Sequence, residues 1–276
     1  MENEISLLYY LTDCPPPIPT LPDASSQDHA PPYIPGNLPN LTEWTDFDLL
    51  TILDDYELLL RHTLLHQTPF PESPPPVMMA ESHFQYRFAE HVVPRVRRAL
   101  RATFDYLEQH HGLRGRTVVS FDSGAYAGFA GAHEPELSFY AVGNSDSSRH
   151  RIPGVMKPSW EWDSSFAQDP NHQEAYRAGL ATLNWYMRHR AARYGFMLTD
   201  KELMAVRRME TGDLQLSASI LWRTWATSEN PELTMFLGLW YLGILASYDN
   251  RWNMQGQVPE ISHDDQPLFP SANSAL

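Results

Sequence analysis

The segment from residue 151 to residue 208 alternates between two structural patterns, and this alternation limits the folds that the chain can adopt. An extended run at 152–162 is followed by a helical pattern at 173–193 and by a second extended run at 196–198. Apolar residues recur in the helical pattern at the spacing of one helix face, namely Tyr176, Leu180, Leu183, Met187 and Ala191. Strands that alternate with a helix in one core predict a sheet covered by helices.

The flanking segments continue this alternation. A helical pattern covers about 82–109, and Pro94 within it indicates either a kink or the start of a new helix. Runs rich in β-branched and aromatic residues predict further strands. These strands lie at 117–121, 137–142, 204–209 and 214–222, and an apolar helix follows at about 232–248. The sequence therefore predicts the α/β (α+β) class, with one mixed sheet flanked by helices, for a core domain at 81–248.

Proline and acidic residues are concentrated before this core. Fourteen of the 23 prolines lie between Pro15 and Pro76. Residues 1–80 carry twelve acidic residues and one basic residue, whereas residues 81–248 carry eighteen of each sign. This composition predicts a disordered, proline-rich acidic arm at 1–80, interrupted by one amphipathic helix at about 45–66. A flexible tail is predicted at 249–276.

Cysteine usage and hydropathy indicate the compartment. Cys14 is the single cysteine, so no internal disulfide can form, which suits a reducing environment. The N-terminus lacks the basic region of a secretory signal, and the apolar run at 235–246 is too short to span a membrane. We expect an intracellular protein, cytoplasmic or nuclear, with no membrane partner.

Three charged residues stand where predicted elements begin or end. Glu136 precedes one strand, Lys157 follows the Gly-Val-Met turn of another, and Glu81 opens a helix. Hydrolysis of a phosphodiester with Mg²⁺ uses carboxylates as metal ligands and a positive group to stabilise developing charge. Glu136 and Lys157 are thus candidate catalytic residues, and Glu81 and Glu136 are candidate metal ligands. The alternative is that all three are ordinary surface residues, with Glu81 interacting with its helix dipole.

The order of these elements and the residues Glu81, Glu136 and Lys157 together resemble the PD-(D/E)xK nuclease-like superfamily. More narrowly, residues 80–248 look like a fungal protein family that carries this fold. The narrower resemblance lies in Lys-Pro-Ser-Trp-Glu-Trp at 157–162 and Arg-Tyr-Gly-Phe-Met-Leu-Thr-Asp at 193–200. The resemblance implies that Glu136 matches the first acidic motif and that Lys157 matches the lysine of the second.

The second motif departs from the family pattern at its acidic position. Val155 stands where the resemblance implies Asp or Glu, so it implies a degenerate nuclease-like core. A metal would then lack one carboxylate unless Asp122, Asp146 or Asp163 replaces it. Because Mg²⁺ sites use few protein ligands, the loss of one is serious.

Two clusters of arginines are candidates for anion binding. Arg95, Arg97, Arg98 and Arg101 form a dense basic run within the 82–109 pattern. Such a run predicts an anion-binding face, and the alternative is a solvated helix face that pairs with the acidic arm. Arg188, Arg190 and Arg193 form the second cluster, for which the same two alternatives remain open.

Three functional hypotheses follow from these patterns. The favoured one is a non-catalytic or weakly catalytic PD-(D/E)xK-like fungal protein that needs no cofactor and binds a protein partner or nucleic acid. The second is a Mg²⁺-dependent nuclease in which Glu136 binds the metal and Lys157 stabilises charge. The third is an accessory protein of a fungal metabolic (biosynthetic) locus. Motifs for acyl transfer, nucleotide hydrolysis and dinucleotide binding do not occur in the sequence.

Overall fold

The computed structural model describes residues 4–20, 38–70, 77–124, 134–143, 150–227 and 231–254. Within these ranges the chain forms short and long strands, α-helices and one 3₁₀ helix (Ser164–Gln168). In chain order the strands and α-helices are β1 (Glu4–Ser6), α1 (Leu7–Leu11), β2 (Leu41–Glu43), α2 (Leu49–His62), β3 (Leu64–His66), α3 (Glu81–His91), α4 (Val93–His110), β4 (Val119–Ser123), β5 (Leu137–Ala141), β6 (His150–Met156), α5 (Gln173–His189), β7 (Tyr194–Leu198), β8 (Glu202–Arg208), β9 (Leu214–Leu216), β10 (Ile220–Leu221) and α6 (Met235–Ser247).

Most of the strands belong to one mixed sheet. Its order is β2-β9-β8-β7-β6-β5-β4, with β10 paired to β8. β4, β5 and β6 form an antiparallel meander, β6 runs parallel to β7, and β7 and β8 form a hairpin. A parallel pair needs a crossover connection, which α5 supplies between β6 and β7. The predicted mixed sheet flanked by helices is therefore confirmed.

Helices cover both faces of this sheet. α6 is apolar all round and almost entirely buried, because it contacts α1, α4 and the strands of the sheet. α5 packs on the opposite face, against β6 and β7. Successive side chains of a strand point to opposite faces, so each face has its own apolar cluster. Phe121, Phe139 and Phe196 belong to the α6 side, whereas Val155 and Met197 belong to the α5 side.

The helical pattern at 82–109 consists of two helices, which meet at Val92. Pro94 lies in the first turn of α4, where its missing backbone N–H would have no helical partner in any case. Of the two alternatives raised by the sequence, a new helix therefore starts at the proline. α4 buries Val96, Leu100 and Phe104, which face the core it shares with α6.

Large parts of the predicted N-terminal arm are integral to this core. Leu7, Leu8 and Leu11 are buried, and α1 contacts α2, α4 and α6. β2 extends the main sheet through a parallel pairing with β9. The structure thus differs from the predicted arm at 1–80, because short elements that pack at long range leave little trace in composition. The predicted helix at about 45–66 is α2, whereas the proline-rich stretches at 21–37 and 71–76 lie outside the described residues.

The residues that directly follow α6 also pack against the rest of the protein. Trp252 and Met254 are buried, and the Met254 N–H donates a hydrogen bond to the Ala191 carbonyl at 2.7 Å. The predicted tail at 249–276 therefore starts with a fixed segment, and its remainder, 255–276, lies outside the described residues. None of the helices described is long and apolar enough to cross a membrane.

Candidate functional site

Glu136 directly precedes β5 and Lys157 directly follows β6. Because these strands are antiparallel neighbours, both residues lie at the same end of the pair, and this end is called the Lys157 edge. Leu137 pairs with Gly154, so Glu136 stands beside Val155 on the neighbouring strand. Oε2 of Glu136 accepts a hydrogen bond from the Met156 N–H at 3.4 Å. The Glu136 carboxylate therefore contacts the backbone of β6.

Tyr186 of α5 lies close to this edge, although the sequence gave no reason to single it out. Its hydroxyl donates a hydrogen bond to the Glu134 carbonyl at 3.0 Å. Burial, followed by the negative charges of Glu136 and Glu134, raises the pKa of Tyr186. The phenol stays protonated at neutral pH and is a hydrogen-bond donor, not a base.

Val155 is the residue at which the resemblance in the sequence predicts an acid. Its side chain is 0% exposed. It packs in the cluster under α5, with Trp162, Leu180 and Met197. A carboxylate at this position would be removed from water and surrounded by apolar groups. Position 155 therefore contributes to the core that fixes α5 on the sheet.

Lys157 is held by a nearby acid that sequence reasoning missed. Its Nζ lies 3.5 Å from Oε2 of Glu161, and the two side chains are 28% and 20% exposed. The Lys157 N–H donates to the Leu198 carbonyl at 3.0 Å, which extends the pairing of β6 with β7. The signal for Glu161 was its four-residue spacing, because the tight turn after Pro158 brings such residues together.

Two buried carboxylates from the β7–β8 turn fix the segment that follows Lys157. Asp200 accepts hydrogen bonds from the Ser159 N–H at 2.6 Å and from its hydroxyl at 3.0 Å. Glu202 accepts from the Ser164 N–H at 2.6 Å, from its hydroxyl at 2.7 Å and from the hydroxyl of Ser219. Because these oxygens bind protein donors, the 193–200 motif serves to shape the loop.

The acids that could replace the missing carboxylate are engaged elsewhere. Asp122 forms an ion pair with Arg97 at 2.9 Å. Asp163 caps the 3₁₀ helix by accepting a hydrogen bond from the Ser165 N–H at 3.0 Å. Asp146 lies outside the described residues. Glu81 is the first residue of α3, and its side chain also lies outside the description.

Position 155 supplies no ligand for a Mg²⁺ ion. Mg²⁺ takes octahedral oxygen coordination and is usually bound through one or two carboxylates together with waters or substrate oxygens. Val155 offers no oxygen, and Glu136 already accepts a backbone hydrogen bond. No group of three or more His, Cys, Asp or Glu residues is arranged to hold a metal within the part of the chain that the structure describes.

Arg95 is separated by burial from the other arginines of its cluster. Its guanidinium donates to the Tyr10 carbonyl and to the Asp13 carboxylate, both at 2.9 Å, and to the Thr68 carbonyl at 3.1 Å. It also lies over the rings of Tyr10 and Phe70, 4.2 and 4.4 Å from their centroids. Burial lowers the pKa of Arg95. This arginine joins the N-terminal segment to α4 and does not face a ligand groove.

Arg97, Arg98 and Arg101 line a surface groove between α4 and the outer strand β4. The groove has a volume of about 740 Å³. Arg97 is paired with Asp122, and Arg98 donates to the hydroxyl of Thr68. Arg101 is exposed and has no ion-pair partner among the described residues. The other lining residues are apolar, small or acidic, and they are Phe104, Asp105, Glu108, Val118, Val119, Ser120, Tyr140, Val142 and Gly143.

The outer edge of β4 runs along this groove. The Val142 N–H donates to the Val118 carbonyl at 2.9 Å, and the Gly124 N–H donates to the Glu136 carbonyl at 3.2 Å. Alternate residues of an antiparallel strand direct their backbone groups to the partner strand. Val119 and Phe121 therefore direct theirs away from β5, and no described residue bonds to these groups.

The second arginine cluster lies at the end of α5, on the opposite face of the sheet. Arg188 belongs to the last helical turn, and Arg193 directly precedes β7. Arg193 forms an ion pair with Glu210 at 2.8 Å. The hairpin adds Arg208, which sequence reasoning missed because it falls at the end of an apolar strand. Burial lowers the pKa of Arg190, and it lowers the pKa of Arg208 together with the charge of Arg188.

Comparison of the chain with protein-family models, with curated proteins and with solved structures found no match.

Proposed function

We propose that this chain is a non-catalytic binding protein with a PD-(D/E)xK-like core, and that its α4–β4 groove holds an extended polypeptide with acidic residues at the arginine end. The observation that carries the proposal is the outer edge of β4, which pairs with no other described strand, beside exposed Arg101. The two parts of the proposal rest on different observations. The core and its lack of catalysis rest on the Lys157 edge, and the partner rests on the groove.

The order of elements supports the nuclease-like core. α4 precedes the antiparallel meander β4–β5–β6, and α5 then crosses to β7, which runs parallel to β6. This order places position 155 in the third strand and Lys157 just after it, beside the start of β5, where Glu136 stands. These are the relative positions that the resemblance implies for the two motifs.

The donor set at this edge supports binding over metal-dependent hydrolysis. The acidic position holds Val155, which is enclosed by core residues. Lys157 is paired with Glu161, and Asp200 and Glu202 hold the loop through serine donors. Each charged group in the neighbourhood thus has a structural contact that accounts for it.

The charges of the residues that line the groove favour a polypeptide over a nucleic acid. Because α4 and β4 run in opposite directions, Arg97 and Arg98 lie at one end and Asp105 and Glu108 at the other. A groove with both signs of charge suits a peptide better than a uniformly charged phosphate backbone. The backbone groups of Val119 and Phe121, to which no described residue bonds, can pair with an added strand, whose affinity then comes from main-chain hydrogen bonds.

A designed peptide tests this proposal. The probe is an eight-residue peptide in which valine alternates with charged residues, so that the charged side chains point to one side of the added strand. Glutamate stands in the half that meets the arginines, and lysine stands in the half that meets Asp105 and Glu108. We expect binding by calorimetry, and we expect Arg101→Glu to weaken the affinity about tenfold because it reverses a charge beside the peptide. Hydrogen exchange at the amides of Val119 and Phe121 should slow when the peptide binds.

Two controls make the result specific. Arg114→Glu changes an exposed arginine outside the groove and should leave the affinity unchanged. A peptide with every second backbone nitrogen methylated keeps its charges but loses the strand donors, so it should not bind. Equal binding of the methylated peptide, or preference for single-stranded DNA or RNA, contradicts strand addition. Mg²⁺-dependent cleavage of DNA or RNA that disappears in Lys157→Ala and Glu136→Ala contradicts the non-catalytic role.

A further inference from the structure

Arg208 stands out because a buried guanidinium is normally fully paired. Its side chain is 7% exposed, and its Nε and Nη1 are buried with no hydrogen-bond partner among the described residues. An unsatisfied buried donor costs free energy, and a charged one costs more. The fold keeps this charge in place at the end of β8, where an apolar residue would avoid the cost.

The surroundings of Arg208 are positively charged. Arg188, in the last turn of α5, repels the Arg208 charge and helps to lower its pKa. Arg193 is joined to it through the backbone, since the Arg208 N–H donates to the Arg193 carbonyl at 2.7 Å. Nε of Arg193 is also buried, and it has no hydrogen-bond partner in the part of the chain that the structure describes.

The acidic residue near Arg208 already forms an ion pair at the surface. Glu210 is the one carboxylate that favours the charged form of Arg208. Its Oε1 lies 2.8 Å from Nη2 of Arg193, and its side chain is 63% exposed. This exposed glutamate is thus paired with Arg193, and buried donors on Arg193 and Arg208 remain unsatisfied among the described residues.

We infer that Arg208, with Arg188 and Arg193, forms a binding site for a small phosphate group. The planar guanidinium presents its N–H groups as a fork that matches the oxygens of a phosphate. A phosphate bound there would accept hydrogen bonds from the orphaned donors and offset the mutual repulsion of the arginines. Free phosphate and the terminal phosphate of a larger molecule share this chemistry.

This site is independent of the groove proposed above. Leu198 pairs with Leu203 and Tyr194 pairs with Arg207, so Arg208 lies at the opposite end of the β7–β8 hairpin from Lys157. It also lies on the α5 side of the sheet, whereas the groove is lined by α4. A negative result for the peptide leaves this inference untouched.

Phosphate binding can be measured directly on the full chain. Inorganic phosphate and pyrophosphate are titrated by calorimetry, and thermal unfolding is followed in phosphate and in sodium chloride of the same ionic strength. We expect phosphate to raise the Tm of the wild-type protein above the chloride value, since a ligand that binds the folded state stabilises it. We expect Arg208→Gln to weaken the affinity at least about tenfold and Arg188→Gln about threefold.

Folding of the variants does not obscure this test. Removing an unpaired buried charge is often neutral or stabilising, so Arg208→Gln and Arg208→Met should fold. Arg114→Gln, at an exposed arginine outside both proposed sites, is the matched control and should bind phosphate like the wild type. A stronger effect of pyrophosphate than of phosphate identifies the end of a larger phosphate ester as the preferred ligand. An equal Tm increase in Arg208→Gln, or no increase in the wild type, overturns the inference.

Discussion

A side chain at position 155 is enclosed by residues that α5 places over β6, among them Trp162 and Leu180. The acid that the sequence resemblance predicts at this position would be enclosed by the same apolar residues. Lys157 lies two residues further on and is paired with Glu161. The strand positions of Val155 and Lys157 could be predicted from the sequence, whereas their side-chain contacts could not.

The packing role of Val155 can be tested by restoring the acid. We expect Val155→Asp to lower the free energy of unfolding by about 3 to 5 kcal/mol, because an uncompensated charge would be buried. Chemical denaturation measures this loss. Val155→Thr has a similar volume and no charge, so it should cost only about 1 to 3 kcal/mol. An Asp variant that keeps wild-type stability and gains Mg²⁺ binding in calorimetry would show that the position still faces a metal site.

Arg95 and Arg208 illustrate why charges could not be assigned from the sequence. In the sequence, Arg95 belongs to the same basic run as Arg97, Arg98 and Arg101. In the structure, α4 directs its side chain towards α1 and the Tyr10 ring. Arg208 follows an apolar strand and gave no sign of its burial. Helical spacing shows which residues share a face, and it does not show which face meets the rest of the molecule.

Most of the longer helices and strands could be predicted from the periodic spacing of apolar residues. The meander, the hairpin and helices α2, α4, α5 and α6 have enough residues for apolar spacing to be recognised. β1, β2 and β3 have three residues each, too few for any period to emerge. β2 also pairs with β9, far along the chain, and such pairings follow from tertiary packing. The sequence shows the acidic residues of the β7–β8 turn, but it does not indicate that serine residues are their hydrogen-bond donors.

The β7–β8 turn is expected to stabilise the loop after β6. Asp200→Ala removes two acceptors and leaves the buried Ser159 N–H unsatisfied. We expect a loss of about 2 kcal/mol in the free energy of unfolding, because hydrogen bonds to charged groups contribute more than neutral ones. Hydrogen exchange should also become faster at the Ser159 amide.

A matched control lies in the next turn of the sheet. Asp213 is half-buried, in contrast to buried Asp200, and accepts a hydrogen bond from the Thr211 hydroxyl. Asp213→Ala should change the free energy of unfolding by no more than about 0.5 kcal/mol. If both variants lose the same free energy, the Asp200 contacts do not hold the loop.

For the molecule as a whole, the N-terminal segment is part of the globule. α1 buries Leu7, Leu8 and Leu11 against the helices around α6, and Asp13 neutralises buried Arg95. We expect deletion of residues 1–20 to abolish cooperative thermal unfolding, because it exposes this apolar surface and leaves the Arg95 charge unpaired. Near-ultraviolet circular dichroism measures the transition.

The full-length variant Asp13→Asn separates the two causes. It removes the ion pair but keeps α1, so it should unfold cooperatively at a slightly lower Tm. A truncated protein that unfolds at the wild-type Tm would restore residues 1–20 to the role of an independent arm.

The central position of α6 has a consequence for how the protein is made. This helix, Met235–Ser247, follows the other described helices and strands in the chain and contacts α1, α4 and most strands. Earlier segments leave the ribosome without the helix that completes their core, and β2 cannot pair until β9 has been synthesised. Folding in such a topology depends on contacts between distant residues and is slow. Nascent chains therefore expose apolar surface until α6 has been synthesised, and such surface favours aggregation.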